Sequence, residues 1–258
     1  MSKQLIPAQR REQIQEYLSQ YKVASNSDLS ALLGVSEATV RRDLAWLENA
    51  SILTRTHGGA VISQRLQIEP AYAKRTQHRV SEKSAIGKLA AGLLQDGDIV
   101  FINSGTTTTQ LIHQINPGLD ISLFTNNLAA VMEIGEIGYD LILLGGEFQP
   151  KSRAAAGRFA IENLSQIYAD KAFIGVDGIS PEHGCTVPSN SEAEVIKMMI
   201  ERTKGPVSVL ADHSKWGLVS NFEVAKFSHF QQLISDPGLS TEHQQTLHDY
   251  LIETLIDS

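Results

Sequence analysis

Apolar positions change their rhythm near residue 80. In the first sixty residues they recur at helical spacing. Ile14, Leu18 and Tyr21 mark one helix in "PAQRREQIQEYLSQY", with Pro7 near its start. "SNSDLSALLG" predicts a second, opened by Ser25 with Asp28 at capping-box spacing and closed by Gly34. A third starts after Ser36 and sets Val40, Leu44 and Leu47 on one face. "ILTRTHGGAVI" then gives two short β-prone runs around His57, Gly58 and Gly59, a hairpin pattern. "SQRLQIEPAYAKRTQHR" carries Pro70 and no sustained apolar pattern, so residues 64–80 read as a linker.

From Ser81 the pattern is different. Short apolar runs "IVFI", "ISLF", "LILL", "AFIGV", "VSVL" and "QLIS" alternate with helix-like segments such as "EKSAIGKLAAGLL", "LAAVMEI" and "EAEVIKMMIER". That alternation predicts a largely parallel α/β sheet covered on both faces. The chain divides into residues 1–63, a winged helix-turn-helix; 64–80, the linker; and 81–258, the α/β domain.

The break at Gly34–Ser36 between two short helices gives the N-terminal region its expected task. In a helix-turn-helix the second helix enters a DNA major groove. With Val40 pointing to the core, Thr39 and Arg41 lie about 100° to either side and Arg42 nearly opposite. Ala38 also faces out. Arg41 and Arg42 suit guanine edges or phosphates, Thr39 a phosphate or thymine methyl, and Ser36 with the helix start a phosphate. The hairpin is the wing: Arg55 and His57 would reach the backbone, and Gly58 allows a tight tip.

Charge sharpens this reading. The 258 residues carry a formal charge of -7, but residues 1–63 hold seven Lys and Arg against six Asp and Glu. The remainder is therefore -8, and contact with a polyanion falls to placed residues of the N-terminal region. The composition is that of a soluble chain, and no apolar run approaches a membrane span. The single cysteine, Cys185, precludes an internal disulfide and fits a cytoplasmic location. It reads as a small core or loop residue. No metal-ligand spacing and no cofactor motif is present.

In the second region polar clusters follow the apolar runs. "NSGTTTT" places Asn103, Ser104, Gly105, Thr106, Thr107 and Thr108 at a helix start, which suits either a phosphate or plain N-capping. Asn126 follows "LFT", Gly146 follows "LLG", Asp177 follows "FIGV", and Asp212 and Lys215 lie in "DHSK". Lys151 lies on the loop after the Gly-Gly pair. Clusters at strand ends converge on one mouth in an open α/β sheet, which predicts a small-molecule site. Glu192 and Lys197 begin the helix of "SEAEVIKMM"; they also fit a solvated helix face.

"GVSEATVRRDLAWLE" with "LTRTHGGAV" resembles the N-terminal domain of the DeoR/GlpR family of bacterial transcriptional regulators, and the resemblance runs over nearly the whole chain. It implies an effector domain like the sugar-phosphate isomerase fold, repression of a carbohydrate operon, a phosphorylated sugar as effector and a homodimer or homotetramer on double-stranded operator DNA. By the same resemblance Gly105–Thr108 hold the phosphate, and Asn126, Asp177, Glu192, Lys197, Asp212 and Lys215 read the sugar. Many members carry Asp where this chain has Asn103. The alternatives are a sugar-phosphate isomerase with an accessory domain and an N-terminal domain that binds protein. Against the enzyme, "VDGISPEHG" lacks the further acidic residues that accompany the Asp-Gly pair in those isomerases.

Overall fold

The computed structural model describes residues 6–21, 23–49, 53–56, 58–62, 65–66 and 72–257. The chain forms two compact units, Met1–Gln67 and Ile68–Ser258.

The first unit packs helices α1 (Pro7–Tyr21), α2 (Asn26–Leu33) and α3 (Glu37–Asn49) around one core. The predicted face is observed: Val40, Leu44 and Leu47 are buried with Ile14, Leu18 and Leu29. Ser25 and Asp28 form a reciprocal capping box on α2, and Gly34 ends that helix in the left-handed conformation at φ 63°. The wing has one strand more than the hairpin pattern suggests. Strand β1 (Val23–Ser25) pairs with β3 (Gly59–Ile62), which pairs with β2 (Leu53–Thr56), all antiparallel. Three residues before a cap carry too little pattern to be seen as a strand. The approach is close: a Cβ on Gly59 would lie 2.0 Å from the Ala24 carbonyl oxygen.

A charged residue also enters this unit. Asp43, on the inner side of α3, is 2% exposed. It receives Arg10 Nε at 2.7 Å and Arg11 Nε at 3.3 Å, and so ties α1 to α3. The Arg11 guanidinium also lies 4.0 Å from the centre of the Trp46 ring. These two arginines brace the fold, whereas Arg41 and Arg42 stay exposed.

The second unit is built on a parallel sheet of seven strands: β4 (Ile99–Ile102), β5 (Ser122–Thr125), β6 (Asp140–Leu143), β7 (Lys171–Gly175), β8 (Val207–Leu210), β9 (Gln232–Ser235) and β10 (Glu253–Ile256). All six predicted runs become strands of this sheet. The seventh, β10, escapes the pattern because it is a half-exposed edge. The order across the sheet is β10-β9-β8-β7-β4-β5-β6. Alternate side chains feed two apolar layers, Phe101, Ile174 and Val209 on one face, Val100, Phe173 and Leu210 on the other. The chain lays down β4, β5 and β6 outward, then returns to the other side of β4 to lay down β7. That reversal opens a crevice at the carboxyl ends of β4 and β7, where ligands of such sheets bind.

Residues 64–80 hold a correction. Helix α4 (Tyr72–Arg75) lies in this stretch, Tyr72 is 2% exposed, and α5 (Val80–Ala91) begins at its end. From Tyr72 onward the predicted linker belongs to the second unit. Its one buried aromatic residue among polar neighbours makes no periodic pattern.

Asp43→Ala is expected to destabilise the first unit by about 2 kcal/mol, since both arginines lose a partner yet remain part-exposed and can hydrate. Arg11→Ala should cost less, because Arg10 retains the pair. The check is the urea midpoint of the full chain by circular dichroism; an unmoved midpoint would show that the ion triad contributes nothing.

Candidate functional site

Two surfaces carry the candidate chemistry. On the first unit, Ser36 accepts the Thr39 N–H at 3.4 Å and so caps α3. Ser36, Ala38, Arg41 and Arg42 are exposed along the first turns of that helix, and Thr39 is half-exposed. Arg41 meets Glu37 one turn earlier at 3.3 Å, and Arg42 Nε donates to the Ala38 carbonyl at 3.4 Å. Both are loose surface contacts that a nucleic acid can replace. Arg55 is drawn elsewhere. Its N–H donates to Glu48 at 3.0 Å and its guanidinium lies 3.8 Å from the same carboxylate, near the far end of α3. Gly58 is exposed at the wing. His57 lies outside the described residues.

On the second unit, the crevice begins with β4 and the helix that follows it, α6 (Thr106–Gln114). Gly105 has φ 155°, and its carbonyl accepts from Thr108 Oγ1 at 3.0 Å and Thr109 Oγ1 at 2.8 Å. Only glycine takes that φ readily. The turn leaves the first N–H groups of α6, at Thr106 and Thr107, without intrahelical partners. Such a helix start attracts an anion. Thr106, Thr107 and Thr108 are buried beside it.

Two of the expected effector-binding residues, Asn103 and Asn126, bond to the frame of the sheet. Asn103 accepts the Gly175 N–H at 2.7 Å and donates to the Gly175 carbonyl at 2.9 Å, which locks β4 to β7 at the reversal. A carboxylate there could accept but not donate, so the amide suits this contact. Asn126 accepts the Ser104 N–H at 2.8 Å and donates to the Ala155 carbonyl at 2.8 Å. Each amide has both its ends engaged by main chain. Ser104 likewise contributes its N–H to the frame.

Beyond β7 and β8 lie the charged residues. Asp177 meets Lys215 Nζ at 3.4 Å and Arg75 Nη1 at 3.4 Å. Asp212, 3% exposed, accepts the Ser214 N–H at 3.1 Å and hydroxyl, and faces Arg79 Nε at 3.5 Å. The loop that carries Asp212 and Lys215 is fixed by His213, whose Nδ1 lies 2.7 Å from Asp236. Lys83 is buried and donates to the carbonyls of Arg75 at 2.5 Å and His78 at 2.8 Å. Burial lowers its pKa to about 8, a shift limited by the Asp212 carboxylate. Arg75, Arg79 and Lys83 are what the sequence reading missed. The available signal was the density of cations in "KRTQHRVSEK", hidden by the absence of an apolar period.

Glu192 and Lys197 separate. Glu192 is 8% exposed and accepts the Ser152 hydroxyl at 2.6 Å. Burial raises its pKa, partly offset by the Ser152 bond. Lys197, about 140° around the same helix, is exposed on its outer face. The structure does not bring it to the crevice. Lys151 and Gly146 are also exposed, the lysine lending its carbonyl to the Tyr72 N–H at 2.8 Å. Cys185 is fully buried in a strand, and burial pushes its thiol pKa up. Among the described residues no cluster of three His, Cys, Asp or Glu could hold a metal, and no helix is long and apolar enough to cross a membrane.

Comparison with known proteins matches both units. Residues 10–65 match the DeoR-like helix-turn-helix domain, and residues 78–237 the DeoR C terminal sensor domain. The chain is 38% identical to the HTH-type transcriptional repressor GlcR of Bacillus subtilis, over 86% of each protein. It is 31% identical to a putative aga operon transcriptional repressor of Escherichia coli O157:H7, over 96% of this chain and 93% of that one. A solved ribose 5-phosphate isomerase A from Methanocaldococcus jannaschii aligns at 18% identity over 52% of this chain and 53% of its own, with a TM-score of 0.36.

A buried carboxyl with a raised pKa holds its proton more tightly folded than unfolded. Stability is therefore lost as pH rises from the ordinary glutamate range through the raised value. Glu192→Gln is expected to raise the melting temperature at pH 8, with the gain shrinking as pH falls into the carboxylate range. Equal melting temperatures at pH 8 would show that Glu192 carries no such penalty.

Proposed function

Because the chain belongs to the DeoR family of transcriptional regulators, we propose that it represses a carbohydrate-metabolism operon and that a phosphorylated sugar, bound in the crevice of its second unit, releases or modulates it. One observation carries the effector reading: the start of α6, a ready anion site, stands at the strand-order reversal, and Arg75 and Lys215 meet at Asp177 just beyond the neighbouring strand β7. A phosphate would sit against Gly105, Thr106 and Thr107. The sugar would extend over Asp177 and Asp212, whose carboxylates accept hydroxyl protons, with Glu192 nearby.

On the DNA side, Arg41 and Arg42 supply base or phosphate contacts, Ser36 and Thr39 phosphate contacts, and Ala38 a surface for close approach. Arg55 and Gly58 belong to the wing. Two copies of α3 in a homodimer, or pairs within a tetramer, would meet half-sites about 34 Å or a multiple of it apart. The effector acts only if it binds the DNA-competent and DNA-released forms with different affinity.

The test is a gel shift on DNA upstream of the regulated operon, repeated with pentose and hexose monophosphates. A shift that no sugar phosphate alters would remove the effector reading.

Arg42→Ala is expected to weaken specific operator binding by about 1–3 kcal/mol while melting as the wild type does. Full operator affinity in that variant would take α3 out of the groove. Thr107→Ala should leave operator affinity unchanged and move the effector dose-response to higher concentration. An identical dose-response curve would exclude the α6 start as the phosphate site.

A further inference from the structure

The two flanks of α3 differ in charge. With Val40 pointing to the core, Glu37, Arg41 and Glu48 project to one side, about 60–100° around the axis. Arg41 is held there by Glu37 at 3.3 Å. The other flank carries Thr39, Arg42 and Trp46, which fall within about 60° of one another and form a stripe along the helix. The acidic residue nearest that stripe on α3, Asp43, is turned inward, 2% exposed, and engaged by Arg10 and Arg11. This flank therefore presents Arg42 with no exposed carboxylate of α3 beside it.

Trp46 lies one turn beyond Arg42 and two turns beyond Thr39, and its indole is 49% exposed. Exposure by itself would mean little. What distinguishes this ring is that it is held in place. The Arg11 guanidinium, from α1, lies 4.0 Å from the ring centre, and its Nε is itself fixed to Asp43 at 3.3 Å. A large ring pinned before any partner arrives loses little further freedom on docking. The dimensions point to the partner. A major groove is about 12 Å wide, the diameter of a helix with its side chains, so a helix seated in it meets one strand with each flank. From Thr39 to Trp46 the stripe covers about 10 Å of axis, or about three nucleotides at 3.4 Å along one strand. The flank without exposed carboxylates suits that polyanion.

We propose that Trp46 is a DNA-contacting residue, whose ring packs by the face that Arg11 leaves uncovered on the deoxyribose-phosphate chain walling one side of the groove. This rests on the placement of α3 in the groove proposed above. Arg11 is the positioning residue that holds the ring. The deoxyribose is the apolar part of a strand and so the match for an aromatic face. The contact is to backbone and not to a base edge, so it adds affinity for any duplex and leaves sequence preference to its neighbours on the helix.

The chain has two tryptophans, Trp46 and Trp216. In the full chain carrying Trp216→Phe, fluorescence reports Trp46 alone. Its emission is expected to change on saturation with the DNA upstream of the regulated operon and with an unrelated duplex of the same length. Emission that stays constant while a gel shift shows the complex formed overturns the assignment. In the gel shift, Trp46→Ala is expected to weaken binding to both duplexes by the same factor, about tenfold, and Trp46→Phe by less, because it keeps an aromatic face. A loss confined to the upstream DNA, or a Trp46→Phe as weak as Trp46→Ala, also overturns it. If Trp46→Ala keeps full affinity while Arg42→Ala loses it, Trp46 is removed and the placement of α3 stands. If neither variant loses affinity, both fall.

Discussion

The reversal of strand order between β4 and β7 is the constraint on which the second unit depends. Two adjacent parallel strands whose connections leave in opposite directions cannot be covered by one crossover, so their carboxyl ends stay open. The asparagine at the end of β4 holds that opening to a fixed width. Asn103 both donates to and accepts from Gly175, which keeps the two strands in register where no further ladder bonds follow. From this fixed point the Gly105 turn aims the start of α6 into the crevice, and Asp177 is presented from the neighbouring strand.

The crevice then acquires its electrostatic character from elements distant in sequence. Arg75 and Arg79, from the segment before α5, meet Asp177 and Asp212 beyond the strand ends. The segment from Tyr72 to Arg79 is tied at both ends, by a buried tyrosine hydroxyl and by a buried lysine. Buried charges carry a desolvation cost, and the partners here offset it in pairs. Where pairing is incomplete, as at Glu192, the pKa moves instead.

The DNA-facing unit follows the opposite economy. Its ionic contacts of consequence point inward, through Asp43, while Arg41 and Arg42 make only loose contacts at the surface. The reading role proposed for α3 would need this division. The residues that brace it must differ from those that leave their own contacts for DNA.

Much of this was determined by the sequence. Local spacing is enough to specify α3, its buried Val40–Leu44–Leu47 face, the Ser25 capping box and six strands of the parallel sheet, because each depends on residues a turn or a pleat apart. The Gly-Thr turn was legible for the same reason. Tertiary structure alone decided the rest. It gave Asn103 and Asn126 to the frame, turned Lys197 to the outside, added β1 and β10, and brought Arg75, Arg79 and Lys83 to the crevice. Arg75 and Asp177 stand 102 residues apart in the chain. No periodicity within a segment can encode a contact that exists only once the strands between them have been laid side by side.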